Sequence, residues 1–252
     1  MPLTQLHSFQ LYSAFGKGEV TEQIRALADL GYTNVEPYSY DDPQAMRAVM
    51  DETGVTALSG HFTLEQILDE TTWVISTANL LGIEVVIAPW IDEDNRPVDA
   101  SGWRSLGARL EAVEPQFAEA GLTLGWHHHD FEFTALPDGS YPIEHLLGDG
   151  PLALEMDLGW LTRIGFDASL WMDRYSARIV AVHVKDVAPA GENVDQDGWA
   201  YVGQGVVNWS DLWPKVAKTS ARVAIVEHDL PDDWKRFAAE SFETVKNLGV
   251  PV

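Results

Sequence analysis

The chain has 252 residues, no Cys, an apolar fraction of 46% and a formal net charge of -23. Without thiols, disulfides and thiolate ligands are excluded, and any metal site must use His, Asp and Glu. A surface this acidic repels nucleic-acid phosphates and anionic lipid headgroups.

Leu3–Leu11 predicts a first strand, and Val20–Leu30 follows with apolar residues at helical spacing, as in Ile24, Leu27, Ala28 and Leu30. The alternation then continues. Asn34–Pro37, Val55–Ser59, Glu84–Pro89, Leu122–His129, Leu152–Asp157, Ile179–Val184 and Val223–Glu227 read as strands. Pro43–Glu52, Leu64–Leu81, Gly102–Ala120, Ser210–Ala217 and Asp232–Leu248 read as helices. Gly31, Gly54, Gly82, Gly121 and Gly249 take the position just past a helix end. Val85–Ala88 and Val223–Val226 are continuously apolar, as parallel strands buried on both faces are. About eight strand–helix units without a linker predict a single (β/α)8 TIM barrel over residues 1–252. The rival, an open doubly wound sheet, lacks its glycine fingerprint; Tyr12-Ser-Ala-Phe-Gly-Lys-Gly is not one. No basic leader with an apolar core and no membrane-length apolar run is visible, so a soluble cytoplasmic protein is expected.

Barrels carry their chemistry at the C-terminal ends of the strands. Here those ends are polar: Val35-Glu36-Pro37, Gly60-His61-Phe62, Trp126-His127-His128-His129-Asp130, Glu155-Met156-Asp157, Val182-His183-Val184-Lys185-Asp186 and Val226-Glu227-His228-Asp229. Side chains alternate faces along a strand, so His127 and His129 share one face while Trp126 and His128 take the other. Glu155 pairs with Asp157, and His183 with Lys185, by the same rule. One such residue is usually a loop hydrogen bonder, and the triple-His run alone reads equally as a surface cluster. Four consecutive strands ending in ligand-type residues point instead to one cation, of the Mn, Mg, Zn, Co or Fe(II) class. Glu155 fits a deeper, hydrogen-bonded layer. Glu36 fits either a residue that orients a ligand, a substrate contact or a rim closure.

In this order the strand ends, together with Gly31-Tyr-Thr-Asn-Val-Glu36, Glu155-Met-Asp-Leu-Gly-Trp160 and Val202-Gly-Gln-Gly-Val-Val-Asn-Trp209, resemble the xylose-isomerase-like TIM-barrel superfamily, the sugar phosphate isomerase/epimerase group. The resemblance spans essentially the whole chain. It implies a divalent metal, Mn by first expectation, held by His127, Asp157, His183 and Glu227. The strand-five ligand of the group is commonly Glu, and His127 stands at that position. The His-His-His stretch looks like members related to inosose dehydratase and members acting on 3-keto sugars, which leaves His127 or His129 as the strand-five ligand.

The implied chemistry is proton abstraction next to a carbonyl. Glu227 is expected as ligand and base, with His129 opposite it. Lys185 is expected either to hold a substrate oxygen or to form a salt bridge to Asp157 or Glu155. Glu36, His61, Trp90 and Trp160 are expected at the substrate. Of Trp90, Trp126, Trp160, Trp199 and Phe62, fewer than about half should touch it, since most large barrel aromatics are core. Return of the proton to carbon gives a sugar isomerase or epimerase. Departure of a neighbouring oxygen gives a dehydratase or lyase on a keto-inositol or 3-keto-glycoside. Basic residues are scarce at the rim, so an uncharged sugar, cyclitol or glycoside is expected, and Gly203-Gln-Gly205 reads as loop-shaping rather than anion-binding. The endonuclease branch of the same barrel is disfavoured by the acidity, and a non-catalytic sugar-binding barrel by the intact polar ends. A homo-oligomer is compatible with the sequence, with Tyr141–Leu147 or the Trp-rich helices as the contact.

Overall fold

The computed structural model describes residues 7–248; the predicted strand residues Leu3–Leu6 and the helix-ending Gly249 lie outside the described residues. Eight parallel strands form the barrel: β1 (His7–Gln10), β2 (Asn34–Glu36), β3 (Ser59–His61), β4 (Val85–Ala88), β5 (Thr123–His127), β6 (Ala153–Asp157), β7 (Ile179–Val184) and β10 (Val223–Val226). A short hairpin, β8 (Asp186–Val187) with β9 (Trp199–Ala200), rises between the last two. The sheet runs β2-β1-β10-β7-β6-β5-β4-β3. Its seam is closed by the residues before β3: Val35 N–H donates to Thr56 O (2.9 Å) and Thr56 N–H to Thr33 O (3.0 Å). At the top of the seam His61 N–H donates to Pro37 O (2.8 Å). The chain is therefore the (β/α)8 barrel that its alternation predicts.

The outer ring comprises α1 (Val20–Leu30), α2 (Pro43–Thr53), α3 (Leu64–Asp69), α4 (Thr71–Leu81), α5 (Ala100–Glu119), α6 (Pro142–Leu147), α7 (Leu158–Arg163), α8 (Ala168–Tyr175), α9 (Trp209–Val216) and α10 (Trp234–Leu248). Their apolar stripes meet the outward residues of the strands, as Ile24 and Leu27 of α1 do from full burial. The single helix expected over Leu64–Leu81 is two. At Glu70 (φ -123°) the chain leaves the helix; its N–H closes α3 onto Gln66 O and its carbonyl opens α4. The third strand lies later than the predicted Val55–Ser59, because residues 55–58 serve the seam. Helices α6 to α8 were not predicted. They have 6, 6 and 8 residues, so each offers about two turns of apolar period. Gly107 of α5 lies against the Leu146 carbonyl, and Ile143, Leu146 and Leu147 are buried in their own barrel. That packing commits the apolar face of Tyr141–Leu147 to its own barrel, while Tyr141, Glu144 and His145 stay partly accessible.

Inside the barrel a small apolar plug of Leu58, Ala181, Val223 and Ile225 fills the bottom. Inward positions above it are polar. Registers set them side by side: Gln10 opposite Glu36, His127 opposite Glu155, Asp157 opposite His183. The last pairing depends on an irregularity. Leu154 faces Ile179 but Glu155 faces Ala181, so β7 carries one extra residue, Val180. Without it Asp157 would stand opposite outward-facing Val182. Bulges commonly re-aim side chains beside functional sites in this way.

Candidate functional site

The lower polar layer is a buried network of two carboxylates and three imidazoles. Glu36 Oε2 accepts from Gln10 Nε2 (2.7 Å) and His183 Nε2 (2.8 Å), and lies 3.2 Å from His61 Nε2. Glu155 Oε2 lies 2.6 Å from His61 Nε2, 3.1 Å from His183 Nε2 and 3.2 Å from His127 Nδ1. Both carboxylates are fully buried. Burial opposes their charge, but the facing imidazoles outweigh it; Glu36 is held well below the usual carboxylate range and Glu155 falls to about 2. Burial likewise opposes a charge on His61, and the two glutamates still draw it up to about 9.

The upper layer has a different character. Asp157 Oδ1 caps α7 by accepting from Trp160 N–H (2.8 Å), which leaves Oδ2 buried and without a hydrogen bond. His183 Nδ1, also buried and unbonded, is 3.8 Å from Asp157 Oδ2 and 3.6 Å from Glu227 Oε2. Glu227 Oε2 is an ion-pair partner of Lys185 Nζ at 2.9 Å but lies off hydrogen-bond direction. Buried polar atoms without partners are costly, so three of them converging need a common partner. Asp157, His183 and Glu227 each offer a donor atom within 4.8 Å of the others. A cation about 2.1 Å from each donor spaces its ligands about 3–3.5 Å apart, which the His183 distances approach. The donor set fits a divalent metal. His183 Nε2 is meanwhile engaged by Glu36, the carboxylate–histidine arrangement that fixes the tautomer of a metal-bound imidazole. His127 falls in a second cluster, with His61, Glu155 and His183.

Above these residues opens a cavity of about 520 Å³. His61, His127, His129, His183, Glu227, Trp90 and Trp160 line it, as does Asp229. His129 has its Nδ1 buried and unbonded. Burial first, and Lys185 second, hold its pKa well below that of a free imidazole, so the ring is neutral. Trp90 stands edge-on to His129 (centroids 4.8 Å) and Trp160 tilts against it at 5.4 Å. Glu132 fixes the turn that carries His129: Oε1 accepts from Trp126 Nε1 and Oε2 from His129 N–H, both at 2.8 Å. Burial, despite these bonds, raises Glu132 to about 8. His128 Nε2 accepts from Asp157 N–H (3.0 Å), which places the proton on Nδ1, facing His129 O at 3.2 Å. It ties the end of β5 to the Asp157 end of β6.

Residues 24–248 match the xylose isomerase-like TIM barrel. The chain belongs to that family. No curated protein matches it in sequence. Proteins of known structure share its architecture. A sugar phosphate isomerase/epimerase from Parabacteroides distasonis is 18% identical with a TM-score of 0.77, covering 96% of this chain and 93% of that one. The probable 3-DHS dehydratase AsbF from Bacillus anthracis is 13% identical with a TM-score of 0.76, covering 96% and 99%. IOLI protein with a binding zinc atom is 16% identical with a TM-score of 0.71, covering 97% and 96%. At these identities the likeness is one of fold.

Several expected placements are corrected. Glu36, expected at the substrate, is fully buried and does not line the cavity; its Oε2 meets Gln10, His183 and His61 instead. Lys185 does not line the cavity either; its Nζ pairs with Glu227 (2.9 Å) and Asp229 (2.6 Å), not with Asp157 or Glu155. It sits on the faces of Trp199 (4.1 Å) and Trp160 (5.1 Å). Phe62, Trp126 and Trp199 are core, and only Trp90 and Trp160 of the five rim aromatics reach the cavity. Gly203 N–H donates to Asp186 Oδ2 (2.8 Å), and the same carboxylate accepts from Val207 N–H and Trp209 Nε1, so that loop is built around Asp186. Sequence reasoning missed Asp229, Tyr12 and Tyr38 as cavity residues. Asp229 follows Glu227 by two residues, and strand alternation puts both on one face. Tyr12 and Tyr38 sit in loops, where no periodicity assigns a direction. Among the described residues no helix is long and apolar enough to cross a membrane.

Proposed function

We propose that this protein is a metal-dependent enzyme that abstracts a proton next to the carbonyl of an uncharged sugar or cyclitol, with isomerisation or epimerisation as the outcome. The observation that carries the reading is the convergence of buried, unbonded Asp157 Oδ2 and His183 Nδ1 with Glu227 beneath an open cavity. Asp157, His183 and Glu227 hold the metal, and His127, at the wall of the same cavity, closes the set. Two carboxylates and two imidazoles suit Zn, Co, Fe(II) and Mn alike, so manganese rests on the resemblance alone. The bound cation supplies charge stabilisation for the oxygens of the carbonyl substrate.

The proton is handled by the chain's own groups. Burial opposes a charge on Glu227, but Lys185 and His183 outweigh it and keep the carboxylate ionised. Neutral His129 offers a second acceptor from the side of Trp90 and Trp160. Trp90 and Trp160 give apolar faces on which sugar C–H groups pack. No Lys or Arg lines the cavity, which disfavours phosphorylated substrates. The likeness in fold to a sugar phosphate isomerase/epimerase supports the reaction class and not the phosphate.

A specific observation favours a second outcome, elimination. Asp229 lines the cavity, and burial together with Glu227 raises it to about 7 against the opposing pull of Lys185. Such a carboxyl can protonate a departing oxygen, as a dehydratase or lyase requires. The experiment is incubation of metal-loaded protein in D2O with free sugars, keto-inositols and 3-keto-glycosides, followed by NMR. Metal-dependent deuterium entry beside the carbonyl with all oxygens retained is expected, and Glu227→Gln should abolish it. Loss of water or aglycone would assign the lyase. No exchange with any carbonyl substrate, in protein that binds metal, would overturn the reading.

A further inference from the structure

The cavity continues outward onto a ledge of aromatic rings. Tyr12 and Phe15, in the turn after β1, are 41% and 62% exposed. Their rings stack at 5.5 Å with 27° between planes, and Tyr38 meets Tyr12 edge-on at 5.2 Å. Tyr12 and Tyr38 line the cavity, and Phe15 extends the same surface beyond its mouth. The ledge is anchored to the site: Gln10 Oε1 accepts from Tyr12 N–H (3.1 Å) while its Nε2 donates to Glu36 (2.7 Å). A cluster of large exposed apolar side chains beside a polar cavity marks a binding surface.

Its dimensions and charge choose the occupant. A sugar ring held at the metal ligands is covered by the cavity and has no need of Phe15. Three aromatic side chains present at most about 450–750 Å² even when fully bared, and these are partly buried; a stable protein interface needs about 800 Å² from each partner. The lining adds Asp130, Asp197, Glu227 and Asp229 and no Lys or Arg. Around the cavity Lys185 is committed to Glu227 and Asp229, Arg163 to Asp197, and Arg96 to the faces of Phe131 and Trp90, while exposed Lys17, two residues past Phe15, faces a lining with four carboxylates. An anionic appendage is disfavoured, and a flat neutral one matches stacked rings.

We propose that the ledge of Tyr12, Phe15 and Tyr38 is a subsite for a planar aromatic aglycone, so that the substrate class is an uncharged glycoside whose sugar ring faces Asp157, His183 and Glu227. This rests on the reading of the cavity as the reaction site. A sugar bearing an aglycone keeps its ring closed, so the carbonyl that the chemistry needs sits on a ring carbon. An oxidation of a ring hydroxyl must therefore supply the substrate.

The test separates the subsite from the reaction. Methyl and phenyl glucosides, with their galactosides and both anomers, carry no carbonyl and report binding alone. Their affinities for the metal-loaded protein are measured by calorimetry. At least one sugar pair should show the phenyl compound binding about tenfold tighter, in line with aromatic stacking. The ratio should fall to within about twofold in Phe15→Ser and in Tyr12→Ser/Phe15→Ser. Equal affinities in every pair, no measurable binding of any phenyl glycoside, or a preference that survives both variants would overturn the proposal. So would a dimer, seen by sedimentation, that Phe15→Ser dissociates, because a second copy would then cover the ledge. Deuterium exchange with free keto-sugars is run in parallel. Exchange without the phenyl preference removes the subsite and leaves the reaction; the preference without exchange on any carbonyl substrate does the reverse.

Discussion

Replacing Glu36 by Gln tests whether His183 is a metal ligand without touching the metal shell. Glu36 Oε2 accepts from His183 Nε2 at 2.8 Å, which leaves Nδ1 turned toward Asp157 and Glu227. A neutral amide accepts more weakly, and turned the other way it presents a donor to a donor. Losing such an outer partner typically lowers metal affinity about 10–100-fold, or roughly 1.4–2.8 kcal/mol. Glu155 Oε2, 3.1 Å from the same Nε2, takes part of the load. The expected loss is therefore at the lower end, about tenfold, with a larger loss in Glu36→Gln/Glu155→Gln. Competition with a chromophoric chelator at fixed pH measures the affinity. Circular dichroism of the metal-free variants checks that they fold, since removing one member of a buried ion network costs about 3–5 kcal/mol. A folded Glu36→Gln protein with wild-type metal affinity would mean that His183 Nδ1 does not hold the metal.

Three further outcomes are expected. Metal affinity should rise between pH 6 and 8 and protons should be released on binding. Asp157, raised to about 6 chiefly by burial, must ionise, and His183, drawn up by Glu155 against its burial, must give up a proton; calorimetry in two buffers of different ionisation enthalpy would show no proton release if this is wrong. Gly159→Ala should cost about 1–3 kcal/mol by overpacking and slow isotope exchange, because a Cβ there would stand 2.6 Å from Lys185 O and 2.8 Å from Lys185 Cβ; unchanged urea midpoints would refute the close approach. Glu132, raised to about 8 in the fold against an ordinary value near 4.5, contributes stability that is full below about 4.5 and is lost as pH rises through 8; Glu132→Gln should flatten that part of the pH dependence of the urea midpoint, and parallel curves would contradict it.

The alternation of apolar strands and amphipathic helices made the barrel legible, since each period is set by burial on a known face. The polar strand ends were legible for the same reason: alternation alone puts His127 with His129 and Glu155 with Asp157. What alternation does not carry is depth. Glu36 and Glu227 both end strands, yet one lies in the lower buried network and the other at the cavity with Asp157 and His183, a difference fixed by strand stagger. Nor does it carry the extra residue in β7, which brings Asp157 level with His183. The short helices α6 to α8 carry start signals, Pro142 with Glu144, Asp157 and Asp167, but no full apolar period, and their docking, as with Gly107 against the Leu146 carbonyl, is set by tertiary contacts.

The partition between epimerisation and elimination turns on Asp229. Epimerisation needs an acid–base group on each face of the substrate, and Glu227 and His129, both in the cavity lining, are the candidates. Elimination needs in addition a proton for the leaving oxygen, and Asp229, a cavity carboxyl raised to about 7 chiefly by burial, is the candidate to give one. An alkoxide requires that proton, whereas a phenolate, whose conjugate acid has a pKa near about 10, departs without it. If Asp229 is the acid, Asp229→Asn should slow release of methanol from a methyl 3-keto-glucoside by about 10²–10⁴-fold while release of phenol from the phenyl analogue falls far less. Equal slowing of both leaving groups would assign Asp229 to holding Lys185 instead. Release of neither group by the wild-type protein, with deuterium exchange intact, would leave epimerisation as the reaction.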